Sequence, residues 1–328
     1  MTLSPIDLAL IDRWQRGFPL VERPFAVVGG SVGLDERNAI GTFGRLLREQ
    51  VISRIGAVVR PHTVGASTLA AMQVPAEQFD RVAAAVSAEP LVNHNYERTH
   101  RLNLWFVVAG PTAESVSGTI RRIEARTGFA VVDLPLVKAY HLDLGFPLNG
   151  ARPPRRPCSR DSAPAYAPGE RDRALLAAIE DGLPLVSQPY EAIGRMIGAG
   201  EGEVIGRLET LSEAGVVTRF GCIVRHRRLG YTANAMAVWD LPDQTVDRTA
   251  RLFVGHPQVT LCYRRPRRPP LWPYNLFCMV HAKTRDGALA VIDDLNLMAD
   301  TGLNAQAVLF STRCYKQRGA VFSGGGLN

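Results

Sequence analysis

Gly17-Phe18-Pro19-Leu20-Val21 returns as Gly182-Leu183-Pro184-Leu185-Val186, an offset of 165 residues. At the same offset Ile55-Gly56-Ala57-Val58-Val59-Arg60 returns as Phe220-Gly221-Cys222-Ile223-Val224-Arg225. Pro90, Tyr96, Glu97 and Arg98 then match Pro257, Tyr263, Arg264 and Arg265, and Asn103-Leu104-Trp105-Phe106 matches Asn275-Leu276-Phe277-Cys278. Self-similarity of this kind marks a tandem duplication, and it settles the architecture before any single segment is read.

Outward from the repeat, each copy opens with apolar residues at helical spacing. Helices are expected over Pro5–Gly17, Glu22–Gly29 and Asp35–Glu49, and again over Glu170–Gly182, Gln188–Gly198 and Glu201–Ala214. Strands are expected over Val51–Arg60, Ala66–Val74, Arg101–Ala109 and Val131–Tyr140, with helices at Pro75–Ala88 and Thr112–Thr127 between them. The second copy repeats them at Val216–Val224, Ala233–Leu241, Tyr274–Val280 and Ala305–Phe310. This pattern reads as an α+β chain: twice a winged helix-turn-helix domain (1–55, 170–219) followed by a ferredoxin-like βαββαβ domain (56–148, 220–328). A linker rich in proline and arginine, 149–169, joins the copies.

The 328 residues include 46% hydrophobic and 21% charged residues, a globular balance. No apolar run approaches the roughly 20 residues that span a bilayer, and the first residues are helical and partly acidic, unlike a signal peptide. A cytoplasmic protein is expected. Five cysteines without a CxxC pair point to reduced thiols. The formal charge of +7 implies an anionic partner.

Where that charge sits narrows the partner. Leu261–His281 carries Arg264, Arg265, Arg267 and Arg268 ahead of Trp272-Pro273-Tyr274 and an apolar strand ending at His281. Guanidinium groups fork onto carboxylates, and flat aromatic faces suit a planar ligand. A second cluster holds Arg225, His226 and Arg227; in copy one Arg60, His62, His94, Tyr96, Arg98, His100 and Arg101 mix the same residue types. The helices of the helix-turn-helix domains lack a basic stripe: Glu201, Glu203, Glu209 and Glu213 surround Arg207, so DNA binding is not expected. No HExxH, GxSxG or phosphate-binding glycine loop occurs, which removes zinc hydrolysis, the serine elbow and nucleotide cofactors.

Helix-turn-helix followed by a small ligand-sensing sheet resembles the Lrp/AsnC regulators, and a tetrapyrrole- or amino-acid-responsive transcription regulator is the alternative function. The motifs go further. Arg225-His226-Arg227-Arg228-Leu229-Gly230-Tyr231, Cys262-Tyr263-Arg264-Arg265-Pro266, Trp272-Pro273-Tyr274-Asn275 and Asn93-His94-Asn95-Tyr96 closely resemble the siroheme decarboxylase family. Two units in one polypeptide are similar to the fused D-L type subunits of haem d1 biosynthesis.

The resemblance implies loss of two acetate carboxylates from siroheme, with no cofactor beyond the iron of the substrate itself, and related G and H type subunits as partners. The implied proton donors are His226, His94, Tyr263 and Tyr96. Arg60, His62, Arg98, His100, Arg101, Arg225, Arg227, Arg264, Arg265, Trp272, Tyr274 and His281 are the implied substrate contacts, and no protein metal site is implied. Trp105 reads as core. The position matching His94 in copy two is Leu261, and His62 is shifted by one from His226; one copy is degenerate, or both build one pocket, or partners complete it.

Overall fold

The computed structural model describes residues 3–142, 145, 166–301 and 305–319. The expected linker lies outside them up to residue 165, as do Cys158 and the glycines at 324–326. Copy one runs α1 (Pro5–Trp14), α2 (Pro24–Gly30), α3 (Glu36–Arg48), β1 (Ile52–Val59), β2 (Ala66–Met72), α4 (Phe79–Ala88), β3 (Val92–Arg98), β4 (Leu104–Gly110), α5 (Ala113–Thr127), β5 (Val132–Pro135) and β6 (Lys138–Leu142). Copy two runs α6 (Glu170–Ala178), α7 (Pro189–Ile197), α8 (Glu201–Glu213), β7 (Val217–Val224), β8 (Ala233–Trp239), α9 (Val246–Gly255), β9 (Val259–Arg264), β10 (Leu276–Ala282), α10 (Arg285–Ala299) and β11 (Gln306–Gln317). The chain divides into two compact units, Met1–Val64 with Gly145–Leu229, and Gly65–Leu144 with Gly230–Asn328.

In the first unit the helices start where side chains cap them. Ser4 and Asp7 form a capping box on α1, and Asp35 caps α3. Asp7 pairs with Arg45 on α3, and in copy two Asp172 takes Arg207 of α8 at 3.1 Å. The strands that sequence assigned to the opening of each sheet behave differently: β1 and β7 pair only with each other, antiparallel, as a two-stranded sheet. The Gly-Phe-Pro-Leu-Val repeats dock on it crosswise. Phe18 donates its N–H to the Phe220 carbonyl (3.1 Å), and Leu183 donates to Ile55 (2.7 Å). Gly221 must be glycine, since a Cβ there would lie 2.5 Å from the Trp14 carbonyl oxygen.

The second unit holds one antiparallel nine-stranded sheet in the order β5-β2-β4-β3-β11-β8-β10-β9-β6. β5 and β6 are consecutive in the chain, so the order begins and ends on the same segment; the two ends are joined through the chain, with no β5–β6 pairing among the described residues. Both joints are exchanges. β11 pairs with β8 over Gln306–Phe310 and then with copy one's β3 from Ser311, while copy one's β6 pairs with β9 of copy two. Sequence reasoning read Val131–Tyr140 as one strand of its own copy; it is two, and the second belongs to the other copy's edge.

Alternation of side chains gives the closed sheet two faces. Outward, Phe106, Val108 and Val82 pack in copy one's helix layer, and Cys278, Val280 and Phe253 in copy two's. Inward, Trp105, Trp272, Phe277, Met236 and Leu309 from both copies share one core. Burial of each large side chain there contributes about 1.5–3 kcal/mol. The joints are fastened outside by matched groups: Tyr140 and Lys138 on Asp247, Tyr315 and Arg313 on Asp80. Burial, with the hydrogen bond to Asp80, pushes the Tyr315 phenol up to about 12.

Two tests follow from these contacts. Gly221→Ala should destabilise by about 1–3 kcal/mol, as overpacking against backbone does, whereas Gly41→Ala, an exposed helical position with nothing within 4 Å of a new Cβ, should raise Tm slightly. Asn275 holds the backbone N–H and carbonyl of Leu241 at 3.0 and 2.9 Å. Asn275→Ala should therefore cost about 1–3 kcal/mol in chemical denaturation.

Candidate functional site

The arginines after β9 do not form an open anion mouth. Arg264 ends β9 on the outer face and pairs with Asp243 at 3.0 Å, and Arg267 is held by Asp240 and Asp243 at 2.7 and 3.0 Å. Arg268 donates to the Asp133 carbonyl (2.9 Å). This corrects the expectation for Arg264: alternation along a strand sends Arg264 and Arg265 to opposite faces, and the acids that neutralise the outer group lie some twenty residues earlier in the chain.

Arg265 turns inward, packs over the Tyr263 ring at 5.4 Å and donates to the Leu134 carbonyl at 2.5 Å. Burial pulls its guanidinium down to about 10. Arg98 repeats the arrangement, over Tyr96 at 5.8 Å and donating to the Leu309 carbonyl at 3.1 Å. Each arginine therefore bonds a strand of the opposite copy. Trp272 is a second correction: at 0% exposure, with Trp105 and Tyr274 both 4.9 Å away, it is core and offers no face to a ligand. Tyr274 is half-buried against it. His100 accepts the Leu102 N–H (3.0 Å) and sets its edge to Trp272, and burial with neighbouring Arg101 lowers its pKa, so it fastens a loop in the neutral form. Arg101 is exposed and donates to the Leu271 carbonyl at 2.5 Å.

Besides Tyr263 and Arg265 at the end of β9, the inner face gathers polar groups on β3, β8 and β10. His94 and Tyr96 stack at 6.1 Å, two residues apart on β3, and Arg98 continues the same face. The Arg98 Nη2 lies 3.9 Å from the Met279 sulfur on β10. Two residues on, His281 stands opposite Asn234 of β8. His281 and Asn234 are 6% and 3% exposed, and polar side chains buried so deeply require hydrogen-bond partners. Thr260 donates its hydroxyl hydrogen to the Met279 carbonyl (3.1 Å), so its oxygen accepts from His281 Nδ1 at 2.8 Å. That arrangement corresponds to the Nδ1–H tautomer of the ring.

Sequence reasoning missed Asn234, Thr260 and the buried His141 of β6. The repeat carried the signal for Asn234, which stands where copy one has Ser67. It also missed β3 as a strand, because Val92–Arg98 places His94, Tyr96 and Arg98 at the positions where apolar residues announce a strand. His226, Arg225, Arg227, Arg60 and His62 belong to the first unit. His226 is buried in a short turn after β7 with Arg227, and Arg225 bonds Val51 through its backbone (2.8 Å). Arg60 Nε donates to the Gly215 carbonyl at 3.0 Å, and exposed His62 takes a left-handed turn at φ 64. Among the described residues no group of three metal-ligating side chains is placed to hold an ion.

Comparison with known proteins accounts for both units. A model described as an AsnC-like ligand binding domain matches residues 64–141 and 228–316, and one described as a siroheme decarboxylase NirDL-like HTH domain matches 7–52 and 172–217. The siroheme decarboxylase NirDL subunit of Paracoccus denitrificans is 46% identical over 324 residues, covering 98% of this chain and 99% of that protein. That of Paracoccus pantotrophus is 45% identical over 327 residues, covering 98% and 99%. A crystal structure of the siroheme decarboxylase NirDL in co-complex with an iron-uroporphyrin III analogue is 27% identical, covers 97% of this chain and 94% of that one, and superposes with a TM-score of 0.67. Matched in all four of its domains and along nearly its whole length, the chain belongs to the siroheme decarboxylase NirDL family.

Proposed function

We propose that this chain decarboxylates siroheme to didecarboxysiroheme, and that the inner face of the closed sheet is where it does so. The observation that carries the placement is the row of half-buried His94 and Tyr96 with buried Arg98, Asn234 and His281 on a mainly apolar face. Loss of carbon dioxide from an acetate leaves an electron pair on the methylene carbon, which the macrocycle delocalises; a proton delivered to that carbon completes the methyl group. His94, Tyr96 and His281 are the groups within this row that can carry that proton. Arg98 and Arg265 are the fixed cations of this face, and guanidinium groups are suited to orienting the carboxylates that stay. Closing the sheet around the reacting acetate strips water from it, and that favours release of the charge as neutral carbon dioxide.

The iron enters with the substrate, and we infer no resident cofactor. We further infer a cytoplasmic enzyme working beside related G and H type subunits. The four described cysteines are free thiols, and no described helix is long and apolar enough to cross a membrane. In copy two the helix that would read DNA does not favour the regulator reading: Arg207 of α8, the one cation of that helix, is held by Asp172 and Glu203.

Anaerobic incubation of the purified chain with siroheme should yield pigment lighter by two carbon dioxide masses in mass spectrometry. Unchanged pigment, both alone and with the related subunits added, would contradict the proposal.

A further inference from the structure

α5 and α10 occupy equivalent places in the two copies. Each runs for 15 residues from a threonine cap, and they are related by the offset of 172 that relates Asn103 to Asn275. Their buried sides match: Val116, Ile120 and Ile123 pack in copy one's outer layer as Ala288, Ile292 and Leu295 do in copy two's. Their outer sides do not.

On α10 two rows at i, i+4 spacing run along the exposed side, Leu289-Asp293-Leu297 and Ala290-Asp294-Met298. Leu297 is 82% exposed and Met298 45%. Single exposed apolar side chains are ordinary, but three large ones on one helix face mark a surface that another molecule covers. The equivalent rows on α5 are Ser117-Arg121-Ala125 and Gly118-Arg122-Arg126. Each aspartate is answered by an arginine, and Leu289, Ala290 and Leu297 are each answered by a smaller residue. Arg122 and Arg126 share Glu89 at 2.9 and 3.4 Å yet remain 54% and 52% exposed, so the α5 face stays basic.

We propose that the α10 face of one chain docks on the α5 face of a second copy. The leucines of α10 fill the hollows over Ser117, Gly118 and Ala125, while Asp293 and Asp294 meet the arginines. Pairing α10 with α10, or α5 with α5, would set like charges against one another. The shared inner core lies between the two copies, so α5 and α10 lie on opposite outer sides and a two-fold dimer cannot use both. The contact is head to tail, and assembly continues past the dimer. One helix face buries less than the roughly 1,600 Å² of a standard interface, which sets the affinity on the order of micromolar or weaker.

The test is sedimentation velocity of the full chain at low ionic strength, where surface charges are least screened, with far-UV circular dichroism to follow the fold. The weight-average mass of the parent should rise by ~2-fold or more between ~1 and ~100 μM. Leu297→Arg spoils the α10 face and Arg121→Asp the α5 face, and each variant alone should stay monomeric over that range. Mixed in equal amounts the two should associate again, because each brings the face that the other lacks. A parent that stays monomeric, variants that assemble as the parent does, or a mixture that stays monomeric would overturn the proposal. Association of the parent only after related subunits are added would overturn it as well, by assigning the α10 face to them.

Discussion

The exchange of edge strands between the two copies is the constraint on which the rest depends. β11 leaves its own sheet at Ser311 to pair with β3, and β6 crosses to β9. Without these joints each ferredoxin-like half would present two unsatisfied edges and an apolar inner face, a state that proteins avoid by pairing or closure. The helical unit follows the same rule on a smaller scale, since Phe18 and Leu183 each donate to the strand of the opposite copy. Fusion in one chain makes this pairing intramolecular, so neither copy waits for a partner at micromolar concentration.

Closure also explains why polar groups can survive inside. Arg98 and Arg265 lie on the inner face because each bonds a carbonyl of the opposite copy and stacks on a tyrosine two residues away. A buried guanidinium so held costs far less than one without partners, and it remains a fixed cation for a carboxylate-rimmed pigment. The inner core of Trp105, Trp272 and Phe277 is close-packed and rigid.

Much of this was legible in the sequence, and the rest was not for identifiable reasons. The repeat at 17–21 and 182–186 fixed the duplicated α+β plan, and the motif around His94 and Tyr96 pointed to the family. What a linear reading could not supply is which strand pairs with which. The arginines of 264–268 looked like a binding mouth because Asp240 and Asp243, which neutralise two of them, sit before an intervening helix. Trp272 looked available to a ligand because a run of arginines and a proline-rich turn lead into it, although its neighbours in space are Trp105 and Phe277. β3 escaped notice because its functional residues occupy the positions whose hydrophobicity would have revealed it.

The central claim is that the site is built by both copies on the inner face of the closed sheet. A crystal structure of this chain with siroheme bound tests it most directly. The account predicts pigment on that face in contact with His94 and Tyr96 from copy one and with His281 and Asn234 from copy two. Pigment enclosed by residues of one copy alone, or seated outside the closed sheet, would contradict it.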